Sequence, residues 1–414
     1  MKFKPHSVLQ GMAGTMMCLA FVAGAQTPAA PAPASTTAAD TTAAATPTAA
    51  ATPAPAPVWS LGPVDFSGYI DGYYSYNANR PSNAANGQTN DLYNFDDKTD
   101  QFNLEAAKLT INHDPDPIGA HVDVIFGRTN TLIHSAVDST TTNYIEQAYL
   151  SVKPTKGAHG FEMDAGQFTT SAGQEVIETM SNWNYSHGLL FAWAIPYYHF
   201  GLRTSLPVTK TWTAGVQVVN GWNNVVDNNG GVTIGLTSAL TEPKFAWNVN
   251  YYTGPENNNT QKGYRNLFDT TLLLTPTAKF NAYVNYDYGQ NNFPAFTTTT
   301  SNGEGGTITQ KFKRDDPHWQ GVAVAARGQV TGNAALVARY EYFYDNQGFQ
   351  TGTKQHLNEI TGTYEYKWPV GLLMRAEYRR DWSDEKFFHK GNTGMVTAQT
   401  PATVGLIAFF GPKR

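Results

Sequence analysis

Ser186 stands next to His187 in Asn184-Tyr185-Ser186-His187, and His113 precedes Asp114. A hydroxyl beside an imidazole suggests a nucleophile and its base; an imidazole beside a carboxylate suggests an acid/base pair. Both need side chains that face each other within hydrogen-bond reach, which neighbours in sequence rarely do. Neither G-x-S-x-G nor H-E-x-x-H occurs. The ten histidines are dispersed, without an i,i+2 or i,i+4 pair suited to a metal, and Cys18 is the single cysteine. These residues predict no enzyme, no catalytic group, no metal and no cofactor.

The remaining candidates are charges set among apolar residues at a spacing of two. Asp71, Asp123, Asp287, Arg339, Glu341, Arg375, Glu377 and Arg379 each fall on the polar face of an alternating segment. Between Ala334 and Asp345, Leu336, Ala338, Tyr340, Tyr342 and Tyr344 oppose Val337, Arg339, Glu341, Phe343 and Asp345. A helix would scatter these charges around its circumference, whereas a strand lines them up on one side.

The same period recurs from Trp59 to the end and yields about sixteen strands, each long enough for a tilted membrane crossing. The predicted spans are 64–76, 101–113, 119–128, 144–153, 160–168, 193–206, 211–221 and 230–238, then 245–253, 264–275, 278–289, 318–330, 333–345, 357–367, 370–381 and 403–410. Their connections alternate between long and short. Asp114-Pro115-Asp116-Pro117 and Thr331-Gly332-Asn333 are tight turns; 77–100, 290–317 and 383–402 are long and rich in polar residues. Sorting by parity predicts an all-β, transmembrane, antiparallel up-and-down barrel with both termini periplasmic. A soluble sandwich has no reason for it. Aromatic clusters at Tyr73, Tyr74 and Tyr76, Tyr251 and Tyr252, Tyr342 to Tyr344, and Phe409 and Phe410 then read as membrane-edge girdles.

Composition agrees. Only 15% of residues are charged while 13% are aromatic, yet mean hydropathy is −0.39, too polar for a helical membrane protein. The formal charge of −5 without a basic run disfavours nucleic acid. Residues 1–25 read as a signal peptide, with Lys2 and Lys4, an apolar stretch from Val8 to Val22, and Ala23-Gly24-Ala25. A retained anchor helix is the weaker reading, since the stretch is short. Residues 26–57, nearly all Ala, Pro and Thr, read as a disordered tether, and 58–414 as the barrel.

The segments FSGYIDGYYSYN (Phe66 to Asn77), YIEQAYLSVK (Tyr144 to Lys153) and AGQFTTSAGQEVIETMSNWNYSHGLLFAWAIPYYHFGLR (Ala165 to Arg203) resemble the putative beta-barrel porin-2, OmpL-like family. The resemblance covers most of Val58 to Arg414 and implies an outer-membrane barrel acting as a porin. One departure is the C-terminus. Outer-membrane barrels usually finish on an aromatic residue, whereas Phe410 is followed by Gly411-Pro412-Lys413-Arg414.

On this reading the eight charges line a lumen, either keeping its wall wet or setting a field for solutes. The connection 169–193 is the candidate constriction. Its Gly173 to Met180 stretch has helix-compatible spacing, and Trp183 and Tyr185 accompany it. Folding inward would turn Glu175 or Glu178 toward the opening; an outward cap is the alternative. Sixteen strands leave room for an aqueous channel. The expected function is passive diffusion of small hydrophilic solutes or ions, with outer-membrane lipid as the other partner. The rival is a surface adhesin or structural barrel with a plugged lumen. General porins of this size are often homotrimers, but subunit-facing and lipid-facing strands look alike here.

Overall fold

The computed structural model describes residues 59–82, 88–134, 143–154, 160–301 and 307–411. The predicted signal segment 1–25 and tether 26–57 lie outside the described residues, as do 412–414. Sixteen antiparallel strands build one closed barrel. The first eight are β1 (Val64–Asn77), β2 (Gln101–His113), β3 (Ile118–Phe126), β4 (Ile145–Val152), β5 (Glu162–Thr169), β6 (Tyr198–Pro207), β7 (Trp212–Val219) and β8 (Thr233–Glu242). The rest are β9 (Phe245–Pro255), β10 (Tyr264–Thr277), β11 (Phe280–Asn291), β12 (His318–Gln329), β13 (Ala334–Asp345), β14 (Gln355–Trp368), β15 (Leu372–Ser383) and β16 (Pro401–Phe410). β16 returns to β1, with Gly68 opposite Phe410 and Tyr74 opposite Val404. Closure leaves no unpaired edge, the condition under which strands can sit in lipid.

The alternation sorts the two faces. In β14, Ile360 is 51% exposed beside Thr361 at 1%; in β16, Val404 is 51% exposed beside Thr403 at 4%. Large apolar side chains such as Phe102, Leu336 and Leu406 point outward, while Arg339, Glu359, Arg375, Arg379 and Asp381 are buried inside. That is the reverse of a soluble protein, and it suits a hydrocarbon exterior. No helix among the described residues is long and apolar enough to cross a membrane. The alternation also divides the predicted girdle. Tyr74, Tyr76, Tyr251 and Phe410 are exposed, but Tyr73, Tyr252 and Phe343 point inward and are buried.

Three register shifts break the period among the described residues, one of them beside the short turn at Leu274/Thr277 and two in the wall around the insert. The β1–β2 register shifts at Asp71/Gly72, which makes Glu105 the extra residue; the β3–β4 register shifts at Asp123/Val124, which makes Glu146 extra. A bulge turns successive side chains to one face. Glu105 and Ala106 are accordingly both buried, as are Glu146 and Gln147.

Loop parity holds with one exception: 114–117, 208–211, 243–244, 278–279, 330–333 and 369–371 are short and the alternate connections longer, but 153–161, on the short-turn side, is as long as 346–354 on the other. Two local expectations fail. No helix forms over 173–180, where there is only a 3-10 turn at Thr179–Ser181. The strand expected from 193 begins at Tyr198, and Leu189–Trp193 form a short helix instead.

Candidate functional site

The β5–β6 connection, 170–197, folds inside the barrel. A non-regular segment there must find partners for its backbone N–H and C=O groups. The inner wall supplies them by charge. Wall carboxylates take the insert's N–H groups: Glu377 accepts from Tyr185 (2.7 Å) and Ser186 (3.1 Å), and Glu341 from Leu190 (2.9 Å). Wall cations serve its carbonyls. Arg339 donates to Ser186 O (2.7 Å) and Arg379 to His187 O (2.6 Å). Arg375 donates to the carbonyls of Thr179, Asn182 and Asn184. The Trp319 indole reaches Ala194 O at 2.9 Å. The helix predicted over 173–180 loses to these contacts, aided by a local clip in which Asn182 bonds both N–H and C=O of Val176.

Five of the eight predicted wall charges, Arg339, Glu341, Arg375, Glu377 and Arg379, thus hold the insert's backbone, and Asp71 accepts from the Tyr185 hydroxyl at 2.7 Å. Asp123 and Asp287 do not touch it directly. Asp123 binds Lys108 at 2.8 Å and Gln147 at 2.7 Å. Asp287 faces Asp269 across β10–β11, with the Asn285 amide between the two carboxyls. Glu175 and Glu178 both turn toward the wall. Glu175 pairs with Arg339 at 2.5 Å, and Glu178 with Lys108.

Lys108 also binds Glu146 at 2.6 Å. Asp123, Glu146 and Glu178 bring carboxylate oxygens within 4.8 Å of one another, a spacing that suits a cation, and the Lys108 ammonium sits among them. Sequence reasoning passed over Lys108, although its parity with Thr110 and Asn112 was a usable signal. Glu105 and Glu146 carried none, because a bulge is defined by a partner strand.

A second loop caps the first. Asn94 donates to Ala192 O at 2.7 Å, and the Trp193 indole to Leu92 O at 3.0 Å. Phe95 packs among His187, Phe191 and Tyr197, with ring centroids 4.3, 5.6 and 5.2 Å away. Burial in this aromatic cluster lowers the His187 pKa to about 4 against Glu175, which raises it. A released His187 titrates near 6.5. Between those values the released insert binds more protons than the docked one, so docking weakens as pH falls from 6.5 toward 4. The effect is on the order of 3 kcal/mol. Amide exchange over 185–195, corrected for intrinsic rate, should be faster at pH 4.5 than at pH 7, and His187→Phe should remove most of that difference.

Close approach at one wall position requires glycine. A Cβ on Gly405 would lie 2.0 Å from the Tyr185 ring. Gly405→Val should therefore unseat Tyr185 and cost about 1–3 kcal/mol of docking. The expected readout is new quenchable Tyr/Trp fluorescence with an unchanged β circular-dichroism spectrum.

Most of the insert is buried, but Ser171, Gln174, Met180, Ser181 and Trp183 are partly or fully exposed. Trp183 rests on Tyr283 with centroids 5.1 Å apart. Ser186 Oγ and His187 Nε2 bond Glu377 and Val176 O respectively, so the adjacent hydroxyl and imidazole serve different partners.

A family model described as "Putative beta-barrel porin-2, OmpL-like" matches residues 63–410. No curated protein matches the chain. Among solved structures, the anion-selective porin from Comamonas acidovorans is similar at 12% identity and TM-score 0.53, over 84% of this chain and 99% of that one. The outer-membrane channel DcaP of Acinetobacter baumannii is similar at 12% identity and TM-score 0.52, over 86% and 100%. OmpT of Vibrio cholerae in its trimer form aligns at 15% identity and TM-score 0.51, over 84% and 99%. At such identities the likeness is one of fold.

Proposed function

The chain belongs to the putative beta-barrel porin-2, OmpL-like family, and on that premise we propose that it forms a water-filled outer-membrane channel for passive diffusion of small hydrophilic solutes or ions. The insert 170–197 sets its narrowest section. The observation carrying this reading is the wet face of the insert. Inside a barrel whose other insert residues are buried, Ser171, Gln174, Met180, Ser181 and Trp183 keep contact with solvent. A solvent-exposed face with Ser and Gln side chains needs no catalytic group to pass solutes.

The long-loop end is assigned to the outside and the termini to the periplasm, as short turns and long loops are arranged in outer-membrane barrels. Association into trimers is part of the proposal, supported by the trimeric form of a fold relative. A second reading, a plugged structural barrel, draws on the aromatic cluster joining Phe95 to His187 and Phe191. Liposome swelling separates the two. The channel reading expects uptake rates that fall with solute size from glycerol to disaccharides; a plug expects the rate of protein-free liposomes for all of them.

A further inference from the structure

On the short-turn side of the insert, the inner wall of β3–β6 carries a second cluster that holds none of the insert's backbone. His121 stacks on its register partner Tyr149, with centroids 5.1 Å apart and planes 13° apart. Along the same row the next two positions are Gly166 and Gly201. Neither has a side chain, and the Arg203 guanidinium lies over that gap, 4.9 Å from the Tyr149 ring and 4.7 Å from the Phe168 ring. Asp164 accepts from its Nε at 2.7 Å and is itself held by Ser151 Oγ at 2.5 Å. The guanidinium is thus fixed by two rings and one carboxylate.

Its terminal edge also meets the Tyr149 hydroxyl but no second carboxylate among the described residues. The side chain is 24% exposed. Ser205, Thr213, Gly215 and Thr237 beside it are small and at least partly exposed, so the edge looks onto open lumen. Guanidinium and carboxylate match as planar forks, and an oriented guanidinium loses little freedom in making that pair. Asp164 competes for the same charge, which keeps any such contact weak, as a site on a transit route must be.

We propose that Arg203, positioned by Tyr149, Phe168 and Asp164, is a binding subsite for small organic carboxylates inside the barrel. The proposal depends on the channel reading only for how the solute arrives. It is tested at equilibrium, on the full-length barrel in detergent, by line broadening of 13C-acetate. Acetamide serves as the uncharged control and chloride as a competing anion without planar oxygens.

Arg203→Gln is expected to weaken acetate binding about tenfold, the loss of one good charge-assisted contact. Arg203→Lys, which keeps the charge but not the fork, should weaken it as well. Asp164→Asn should strengthen it several-fold, an opposite sign that misfolding cannot produce. Arg203→Gln binding acetate like the parent would overturn the subsite, as would chloride competing as well as unlabelled acetate. Binding without conductance would sink the channel reading and leave the subsite standing; conductance with no difference between parent and Arg203→Gln would do the reverse.

Discussion

Replacing Ser171–Pro196 by a short Gly/Ser turn is expected to give a folded barrel whose single-channel conductance is several-fold that of the intact chain. The strands do not need the insert to meet. Thr169 and Tyr198 are register partners, and Thr170 N donates to Tyr197 O at 3.0 Å, so a tight turn can join β5 to β6. Nor does the wall need it for charge balance. Arg339 keeps Glu359 at 2.9 Å, Arg375 keeps Glu365 at 2.8 Å and Arg379 keeps Asp381 at 2.7 Å. Groups that now bond the insert would bond water, which costs little in a wet lumen. Heat-modifiable migration on gels checks folding, and planar bilayers give the conductance. A folded variant with parental conductance would mean that the insert does not set the narrow section.

The second large effect is expected at Arg375. Its guanidinium serves the carbonyls of Thr179, Asn182 and Asn184 while pairing with Glu365. Arg375→Ala leaves three buried carbonyls without that donor and removes one partner of a buried ion pair, a loss of about 3–5 kcal/mol. Glu365 retains Arg327 at 2.8 Å, and the β14–β15 ladder is independent of the side chain, so the cost falls on the insert. Amide exchange over 176–190 should accelerate by about two to nearly four orders of magnitude, as that loss implies. Bilayer records should show a steady level broken into noisy substates. Arg375→Lys should behave nearly as badly, because a point charge cannot span three carbonyls. Quiet records with parental exchange in either variant would remove Arg375 from the account.

All sixteen strands were legible because the demand on them is local: lipid on one side and polar groups on the other write a period of two into the chain. Loop parity then told a membrane barrel from a sandwich. The insert was legible as a long connection with Trp and Tyr, but its conformation was not. GQEVIETM has helical spacing, yet its partners are Arg375 and Asn285, far away in sequence, and the Asn182 clip just beyond it, and their bonds outweigh local propensity. The roles of the wall charges were hidden for the same reason. Arg339, Glu341, Arg375 and Glu377 look like wetting groups until the segment that needs donors and acceptors is placed beside them. Arg203 was less visible still, since its setting depends on the missing side chains of Gly166 and Gly201 on two neighbouring strands.

The central claim is a continuous water path past the insert, and the most direct measurement is the current through the intact, full-length protein in a planar bilayer under a salt gradient. The account predicts discrete, reproducible conductance steps with a defined reversal potential. Folded protein that inserts into the bilayer and carries no current at any voltage below membrane breakdown would contradict it.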